Sequence, residues 1–279
     1  MTLLQRYLVR IGAGEVGADE DPGVVLDDLL ARHAAAIPFE NLDPVSGKPV
    51  SLLPEEVAAK LVDARRGGFC HEHALLSQRV LSELGYECFG ILARVYRDPA
   101  LPTPSGRTHH ATLVRVNGEL RLFDPGFGGG TPTKTLPVRA GGRVGEFRLV
   151  RAAEVLPGQL QAPDVELLLQ RRASDGTWVN FYGFDTTQAL PADVEVSNWY
   201  VSTSPEVMFT RRPVLSRPLR DGTRHTLSGR TFRTVGPHGE SVEEVADRDR
   251  FGEVVREVFG IEAPAGLLDQ AWGKALDAG

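Results

Sequence analysis

The sequence predicts an α+β protein in which helices, strands and mixed structure follow one another along the chain. Apolar residues recur at helical spacing through the first third, strand-like alternation with tight-turn dipeptides fills the middle, and the last third combines both patterns. Because helical and strand segments are separated in sequence and do not alternate, an α+β class is favoured over a parallel α/β sheet. A length of 279 residues suffices for one large domain or for two to three packed subdomains.

Three helices are predicted in the first third. The first, over 24–36, has helical apolar spacing and ends before Pro38. The second, over 54–64, opens with a proline and two glutamates, which suit a first turn. The third, over 70–84, carries apolar residues four apart and ends at Gly85.

Strands are predicted through the middle of the chain. Asn117-Gly118 separates strand-like runs at 111–116 and 119–123, and this dipeptide is the strongest short signal for a hairpin. Other predicted strands cover 87–96, 146–151, 165–172, 178–184 and short stretches of 227–235. In the last third we expect mixed structure around 198–203 and a terminal helix over 247–259.

Composition and charge exclude several classes of function. Lys and Arg number 31 against 37 Asp and Glu, a net charge of −6, and no basic stripe suits a nucleic-acid backbone. No run approaches the roughly 20 apolar residues of a membrane span, so no membrane association is expected. Two cysteines and an N-terminus without a signal-peptide pattern predict a reduced, cytoplasmic protein.

Arginine pairs occur at Arg65-Arg66, Arg171-Arg172 and Arg211-Arg212. They are scattered along the chain and form no continuous basic segment. For the last two pairs we favour solvated surface charge. Recognition of an anionic ligand such as a phosphate by one of them is the alternative.

Cys70 is the candidate nucleophile. It follows two glycines and lies in the first turn of the predicted helix, where the positive end of the helix dipole favours the thiolate. Glu72 is placed to reach back to Arg66. An inert buried thiol is the alternative, and we adopt that interpretation for Cys88, which lies within a strand-like run.

A thiolate nucleophile needs a base and a group that orients the base. His109 and His110 open the first hairpin strand, and Asp124 ends the second. If Asn117-Gly118 is a two-residue turn, Ala111 pairs with Asp124, so His109 shares the face of Asp124 at a diagonal position. His110 then faces the opposite side. A single β-bulge would reverse this choice.

A glycine-rich loop follows Asp124 directly. Gly126, Gly128 and Gly129 can offer N–H groups to an oxyanion or a phosphate, and a plain turn is the alternative. No metal site is predicted, because no Cys/His cluster has zinc-ligand spacing, and the histidines of the His71-Glu72-His73 segment would face different sides of a helix.

Together these motifs resemble the arylamine N-acetyltransferase family over most of the chain. The segments that carry the resemblance are 37–42, 66–70 with Glu72, 93–95, 107–109, 124–129, and 198–205 with Phe209. Two positions depart from the family pattern. Ala74 stands where the family usually has Asn. Pro125, which has no N–H, follows the aspartate, where the family usually has a small or β-branched residue.

The resemblance implies a fold and its division. A helical N-terminal domain over 1–85 would carry the nucleophile, an antiparallel β-barrel over 86–195 would carry the histidine and the aspartate, and an α/β lid would cover 196–279. The core of this fold is similar to that of cysteine proteases.

The resemblance also implies ping-pong chemistry without a permanently bound cofactor. An acyl-CoA, typically acetyl-CoA, acylates Cys70, and a small-molecule amine (an arylamine, hydrazine or hydroxylamine) takes the acyl group. The candidates to line the acceptor pocket are Phe39, Phe69, Phe127 and Phe209. For each of these four side chains, simple packing in the core is an alternative that the sequence favours equally.

Other functions remain open at this point. The same family includes amide synthases that release polyketide chains from an acyl carrier protein thioester as macrolactams. Cysteine hydrolases use the same three residue types, and they differ in passing the acyl group to water. A non-catalytic binding module is the remaining alternative, and the presence of Cys70, His109 and Asp124 argues against it.

Overall fold

The structure, a computed structural model, describes residues 1–14, 17, 20–97, 103–237 and 239–277. The helices are α1 (Leu3–Arg10), α2 (Pro22–Ala36), α3 (Leu42–Val45), α4 (Pro54–Ala58), α5 (Cys70–Glu83), α6 (Ala152–Val155), α7 (Pro191–Thr203), α8 (Met208–Arg211), α9 (Arg248–Glu253) and α10 (Ala265–Asp277). The strands are β1 (Phe39–Glu40), β2 (Glu87–Val95), β3 (Arg107–Val116), β4 (Glu119–Phe123), β5 (Leu136–Pro137), β6 (Arg143–Val144), β7 (Phe147–Arg151), β8 (Leu167–Arg172), β9 (Trp178–Phe184), β10 (Val214–Pro218), β11 (Arg224–Ser228), β12 (Thr231–Gly236) and β13 (Gly239–Glu244).

The three predicted N-terminal helices are confirmed as α2, α4 and α5. A π-helical turn, Ala59–Asp63, prolongs α4, and a second one, Val254–Val258, prolongs α9. Several helices were not predicted: α1, the short helices α3, α6 and α8, and α10, which follows the helix that was expected to be terminal. The segment 198–203 belongs to α7 and is wholly helical. Within the described part of the chain, no helix is long and apolar enough to cross a bilayer.

An eight-stranded antiparallel sheet forms a nearly closed barrel. Its strand order is β5-β4-β3-β2-β9-β8-β7-β6, and β5 also contacts β6 and β7 at the opposite edge. The predicted hairpin register is confirmed, because Val116 pairs with Glu119 across Asn117-Gly118, both of which have positive φ. The barrel interior is filled by apolar side chains such as Leu113, Leu149 and Phe184.

A second, five-stranded sheet joins the two ends of the sequence. Its order is β1-β10-β11-β12-β13, so β1 from the N-terminal third pairs with a strand of the last third. Asn41, directly after β1, strengthens this link: its Nδ2 donates to the carbonyls of Phe209 and Arg212, each at 2.8 Å. The segment after α7 is therefore tied to the strand beside the nucleophile loop, residues 64–69, which directly precedes Cys70.

Three large apolar clusters follow the order of the chain. One is formed mainly by α1, α2 and α5, one by the barrel, and one by the strands and helices of the last third. We propose that the expected units 1–85, 86–195 and 196–279 are the domains of this chain, with β1 as a short contribution of the first unit to the sheet of the third.

Candidate active site

The nucleophile loop approaches the chain before β1 very closely. A Cβ on Gly67 would lie 2.1 Å from the carbonyl oxygen of Pro38, so only glycine fits. The carbonyl of Gly68 accepts from the N–H of Glu40 at 2.8 Å. These contacts fix the start of α5 and place Cys70, 4% exposed, as its first residue.

A buried ionic cluster anchors this loop, and it corrects one predicted contact. Glu72 does not bind Arg66; it accepts from Nζ of Lys60 at 2.8 Å and from the N–H of Phe69 at 3.1 Å. Arg66 binds Glu40 at 2.6 Å and Asp43 at 3.2 Å. Both residues therefore support the nucleophile loop, but through separate partners in one cluster.

His109 and Asp124 meet as the hairpin register predicts. Nε2 of His109 lies 2.9 Å from Oδ2 of Asp124, and both side chains are buried. The β-bulge that would have reversed the choice of histidine is absent from the β3–β4 pairing; the irregularity lies between β2 and β3, beside Ala93. Burial lowers the pKa of His109, but Asp124 and Cys70 raise it by more than burial lowers it. The net result is a pKa of about 10.

Asp124 receives hydrogen bonds from two residues besides His109. The hydroxyl of Tyr182 donates to Oδ2 at 2.7 Å, and the N–H of Gly126 donates to Oδ1 at 3.1 Å. Burial raises the pKa of Asp124, but these donors and His109 lower it to below its usual value. Tyr182 was not predicted, since it comes from β9 and nothing in its local sequence marks it.

His71 is a second imidazole beside the nucleophile. Its Nδ1 lies 3.2 Å from Sγ of Cys70, and its Nε2 lies 2.9 Å from Oγ of Ser197 in α7. Burial, with smaller contributions from His110 and His109, lowers its pKa well below the usual value, so the ring is neutral. Sequence reasoning treated His71 only as a metal-ligand candidate, and Ser197 is 126 residues away in sequence.

Two further buried histidines connect the nucleophile loop to the N-terminal helices. The hydroxyl of Tyr7 lies 2.9 Å from Nδ1 of His33, whose Nε2 lies 2.8 Å from Nδ1 of His73. Nε2 of His73 donates to the carbonyl of Gly68 at 3.1 Å. Because a carbonyl only accepts, every proton in this chain of hydrogen bonds points toward the loop that precedes Cys70.

The glycine loop packs directly against α5. A Cβ on Gly126 would lie 3.0 Å from Cα of Cys70 and 2.9 Å from Cβ of His73. Its N–H already donates to Asp124, so the prediction of Gly126 as an oxyanion donor is wrong. Gly128, with φ +77°, and Gly129 line a cavity that also contains Cys70 and His109.

A cavity of about 1440 Å³ opens beside Cys70 and His109. Of the predicted aromatic residues, Phe39, Phe127 and Phe209 line it. Phe69 does not: it is fully buried and stacks on His71 with ring centroids 5.3 Å apart, so its prediction as a substrate contact is wrong.

Charged side chains also reach this cavity. Arg171 and Arg212 line it, whereas their neighbours Arg172 and Arg211 are exposed. The prediction of plain surface charge is therefore wrong for one member of each pair. For Arg171, the signal that sequence reasoning lacked is the alternation of side chains along β8, which turns adjacent residues to opposite faces.

Cys88 has none of the surroundings of Cys70. Its sulfur lies 3.5 Å from Oγ of Ser82 and from the carbonyl of Gln78, and burial raises the pKa of its thiol. Neither histidine of the hairpin contacts it among the described hydrogen bonds. Over the described ranges, no three His, Cys, Asp or Glu side chains gather as a metal site would require.

Comparison with known proteins gives a consistent result. The profile of the N-acetyltransferase family matches residues 24–267. The chain is 38% identical over 268 residues to an arylamine N-acetyltransferase of Mycolicibacterium smegmatis (92% of this chain, 90% of the relative). It is 37% identical over 252 residues to one of Mycobacterium tuberculosis (88% and 85%). The structure of the Mycobacterium marinum arylamine N-acetyltransferase in complex with CoA superposes with a TM-score of 0.85 at 34% identity, covering 98% of this chain and 99% of that one.

Proposed function

This chain belongs to the arylamine N-acetyltransferase family, and from that premise we propose that it transfers an acetyl group from acetyl-CoA to an arylamine through an acyl-enzyme on Cys70. The observation that carries the proposal is that Cys70, at the start of α5, lines the same cavity as His109, which is itself 2.9 Å from Asp124. The chain is an acyltransferase, and acetyl-CoA serves as co-substrate with no permanently bound cofactor.

In the first half-reaction, His109 takes the proton of Cys70 and the thiolate attacks the thioester carbonyl. Nε2 of His109 is occupied by Asp124, which leaves Nδ1 to exchange protons with the sulfur. The raised pKa of His109 favours the imidazolium that this step creates. The bond from Cys70 to the acyl carbon forms, the bond to the sulfur of CoA breaks, and His109 returns its proton to that sulfur.

The tetrahedral intermediate of this step carries an oxyanion. The N–H groups in the first turn of a helix have no acceptor within the helix, so those at the start of α5 are available to this charge. Gly128 and Gly129, which line the same cavity, are the members of the glycine loop that we retain as candidate donors. Gly126 instead positions Asp124.

In the second half-reaction, the amine enters the cavity and attacks the acyl-enzyme. His109 accepts the proton that the amine nitrogen loses, and the thiolate of Cys70 leaves as the amide forms. Phe127, whose ring centroid lies 4.8 Å from that of His109, is placed to contact an aromatic amine, and Phe39 and Phe209 line the same cavity. The buried site limits access of water to the acyl-enzyme.

The comparisons do not favour the other functions considered from the sequence. The relatives and the solved structure named above are arylamine N-acetyltransferases. They give no support to an amide synthase that acts on an acyl carrier protein, nor to a hydrolase or a non-catalytic binding module.

Intact-mass measurement tests the proposal. Acetyl-CoA is added to the purified chain, to Cys70→Ser and to Cys88→Ser. We expect one acetyl adduct on the wild type and on Cys88→Ser, none on Cys70→Ser, and loss of the adduct with amide formation when 4-anisidine is added. Absence of an adduct, or an adduct that only water removes, contradicts the proposal.

Alkylation tests the roles of the two hairpin histidines. In the Cys88→Ser background, we expect iodoacetamide to label Cys70 at least about tenfold more slowly in His109→Ala than in His110→Ala. Equal rates in the two variants would contradict the assignment of His109 as the base.

A further inference from the structure

Arginine side chains from both sheets converge on the cavity that contains Cys70. Arg97 follows β2 and Arg171 lies on β8 of the barrel, whereas Arg224 begins β11 of the five-stranded sheet. All three line the cavity. Their approach is a product of the tertiary structure, since 53 to 127 residues separate them along the sequence.

The guanidinium group of Arg171 is close enough to those of Arg97 and Arg224 to repel each of them. Burial lowers the pKa of Arg97, and Arg171 lowers it further. Burial and Arg171 together lower the pKa of Arg224 to about 10. Two of the described lining residues are carboxylates, Glu146 and Glu206, and it is Glu146 that acts on these arginines, 2.9 Å from Nε of Arg171. One carboxylate beside three cations leaves this part of the cavity positive.

Two of the guanidinium groups are held by their surroundings. Nη2 of Arg224 donates to the carbonyl of Thr131 at 3.1 Å, in the segment after the glycine loop. Arg97 lies over the ring of Phe181, 5.5 Å from its centroid. Nη1 of Arg224 is buried, and no described residue accepts a hydrogen bond from it. A fixed, charged donor without an acceptor is unfavourable until an anion supplies one.

We propose that Arg171 and Arg224, with Arg97, bind a carboxylate that one of the two substrates carries, on the acyl group of the donor or on the ring of the amine. A carboxylate matches the planar fork of a guanidinium and offers acceptors to two such groups at once. The site shares the cavity with Cys70 and His109, so a carboxylate held there belongs to a molecule within reach of the nucleophile. This inference rests on the proposed function and names its substrate class.

Matched substrate pairs test it with the full-length chain. For the amine, 4-aminobenzoate is compared with 4-aminobenzamide, using acetyl-CoA as donor. For the acyl group, succinyl-CoA is compared with butyryl-CoA, using 4-anisidine as acceptor. We expect the wild type to prefer the charged member of one pair by about tenfold or more in kcat/KM, which corresponds to one or two charge-assisted hydrogen bonds. The pair that shows the preference identifies which substrate carries the carboxylate.

Variants assign the preference to the arginines. Arg171→Gln and Arg224→Gln should each remove most of the preference for the charged substrate and change kcat/KM of its neutral partner by less than about threefold. Arg172→Gln is the matched control, because Arg172 is adjacent on β8 but exposed. It should leave both values unchanged.

Three results would overturn the inference. One is that the wild type shows no preference for the charged member of either pair. This result can be obtained without any variant. Another is a preference that survives both substitutions. The third is evidence that the arginines bind the phosphates of CoA. In that case Arg171→Gln would lower kcat/KM equally for both members of a pair, and the loss would vanish with S-acetyl-N-acetylcysteamine, a donor without phosphates. Failure of every thioester to acylate Cys70 would instead refute the proposed function, and this inference with it.

Discussion

The sulfur of Cys70 lies 3.2 Å from Nδ1 of His71, its neighbour in sequence. Ser197 donates its single proton to the carbonyl of Arg107, so its oxygen accepts from Nε2 of His71 and leaves Nδ1 as an acceptor. A hydrogen-bond acceptor stabilises the thiol and offers nothing to the thiolate. His71 therefore contacts the thiol form of Cys70, whereas His109 takes the proton of that thiol in the proposed reaction.

Replacement of His71 by Phe should make Cys70 more reactive at low pH. The substitution removes the nearer of two acceptors of the thiol, the other being the carbonyl of Thr108 at 3.8 Å. A hydrogen bond of about 1 kcal/mol corresponds to about fivefold faster alkylation below neutral pH. The measurement is the pH profile of iodoacetamide labelling in the Cys88→Ser background. Ser197→Thr, which keeps the hydroxyl, is the control and should leave the profile unchanged. Slower labelling of His71→Phe at every pH would show that His71 assists the reaction as a base.

Gly126→Ala should disrupt the site, because the new Cβ would meet Cα of Cys70 at 3.0 Å and Cβ of His73 at 2.9 Å. Neither atom belongs to a flexible side-chain end, so the loop that carries Asp124 must shift. We expect a loss of about 1–3 kcal/mol in the free energy of unfolding, with slower acylation of Cys70. Gly129→Ala is the control in the same loop: its Cβ would lie 3.7 Å from Thr226, and unfolding should change by less than about 1 kcal/mol. Equal effects would refute the close-approach argument.

Arg66→Met should destabilise the chain strongly. The arginine is 9% exposed and neutralises the buried Glu40 and the half-buried Asp43. Its removal leaves uncompensated charge and should cost about 3–5 kcal/mol in urea unfolding. Arg79→Met is the matched control: Arg79 is 50% exposed and pairs with Glu83 on the helix surface, where an ion pair contributes about 0.3–0.5 kcal/mol. Similar losses in the two variants would contradict the role assigned to the cluster.

Acid should unfold this chain in part through its buried neutral histidines. Burial, with a smaller contribution from His109, lowers the pKa of His110 to about 3, although Asp124 opposes the shift. Below a pH of about 6.5 the unfolded chain binds a proton at His110 that the folded chain excludes. Stability therefore falls with pH by about 1.4 kcal/mol per unit for this group, down to the folded pKa.

His110→Gln tests this effect, since Gln can keep a polar contact with Gln78, which lies 3.2 Å from Nε2 of His110. The ring of His71, 5.5 Å away, is the other titratable group that faces it most directly. Urea unfolding between pH 7 and pH 5 should show a shallower loss of stability in the variant than in the wild type. Parallel pH dependences would mean that His110 takes up its proton as readily in the folded chain as in the unfolded chain.

Much of the candidate triad followed from local sequence. The choice of His109 over His110 required only a two-residue turn at Asn117-Gly118 and the alternation of side chains, both of which act within one hairpin. The position of Cys70 at a helix start followed from the glycines before it and from helical spacing after it. Such signals are short-range, so they survive in a single sequence.

Contacts between distant segments were not open to the same reasoning. Tyr182 on Asp124, Ser197 on His71 and Lys60 on Glu72 join residues whose meeting depends on how the barrel, α7 and the N-terminal helices pack. The errors on Phe69 and on Arg171 have the same origin, because the side of an element that faces a core or a cavity is decided by what packs against it.

The sequence by itself therefore determined the order of helices and strands, the hairpin register and the identity of the reactive triad candidates, because backbone propensity and side-chain alternation act over a few residues. Only the tertiary structure decided which side chains surround Cys70 and which charges line its cavity, since burial and long-range electrostatics exist only once the separate segments have come together.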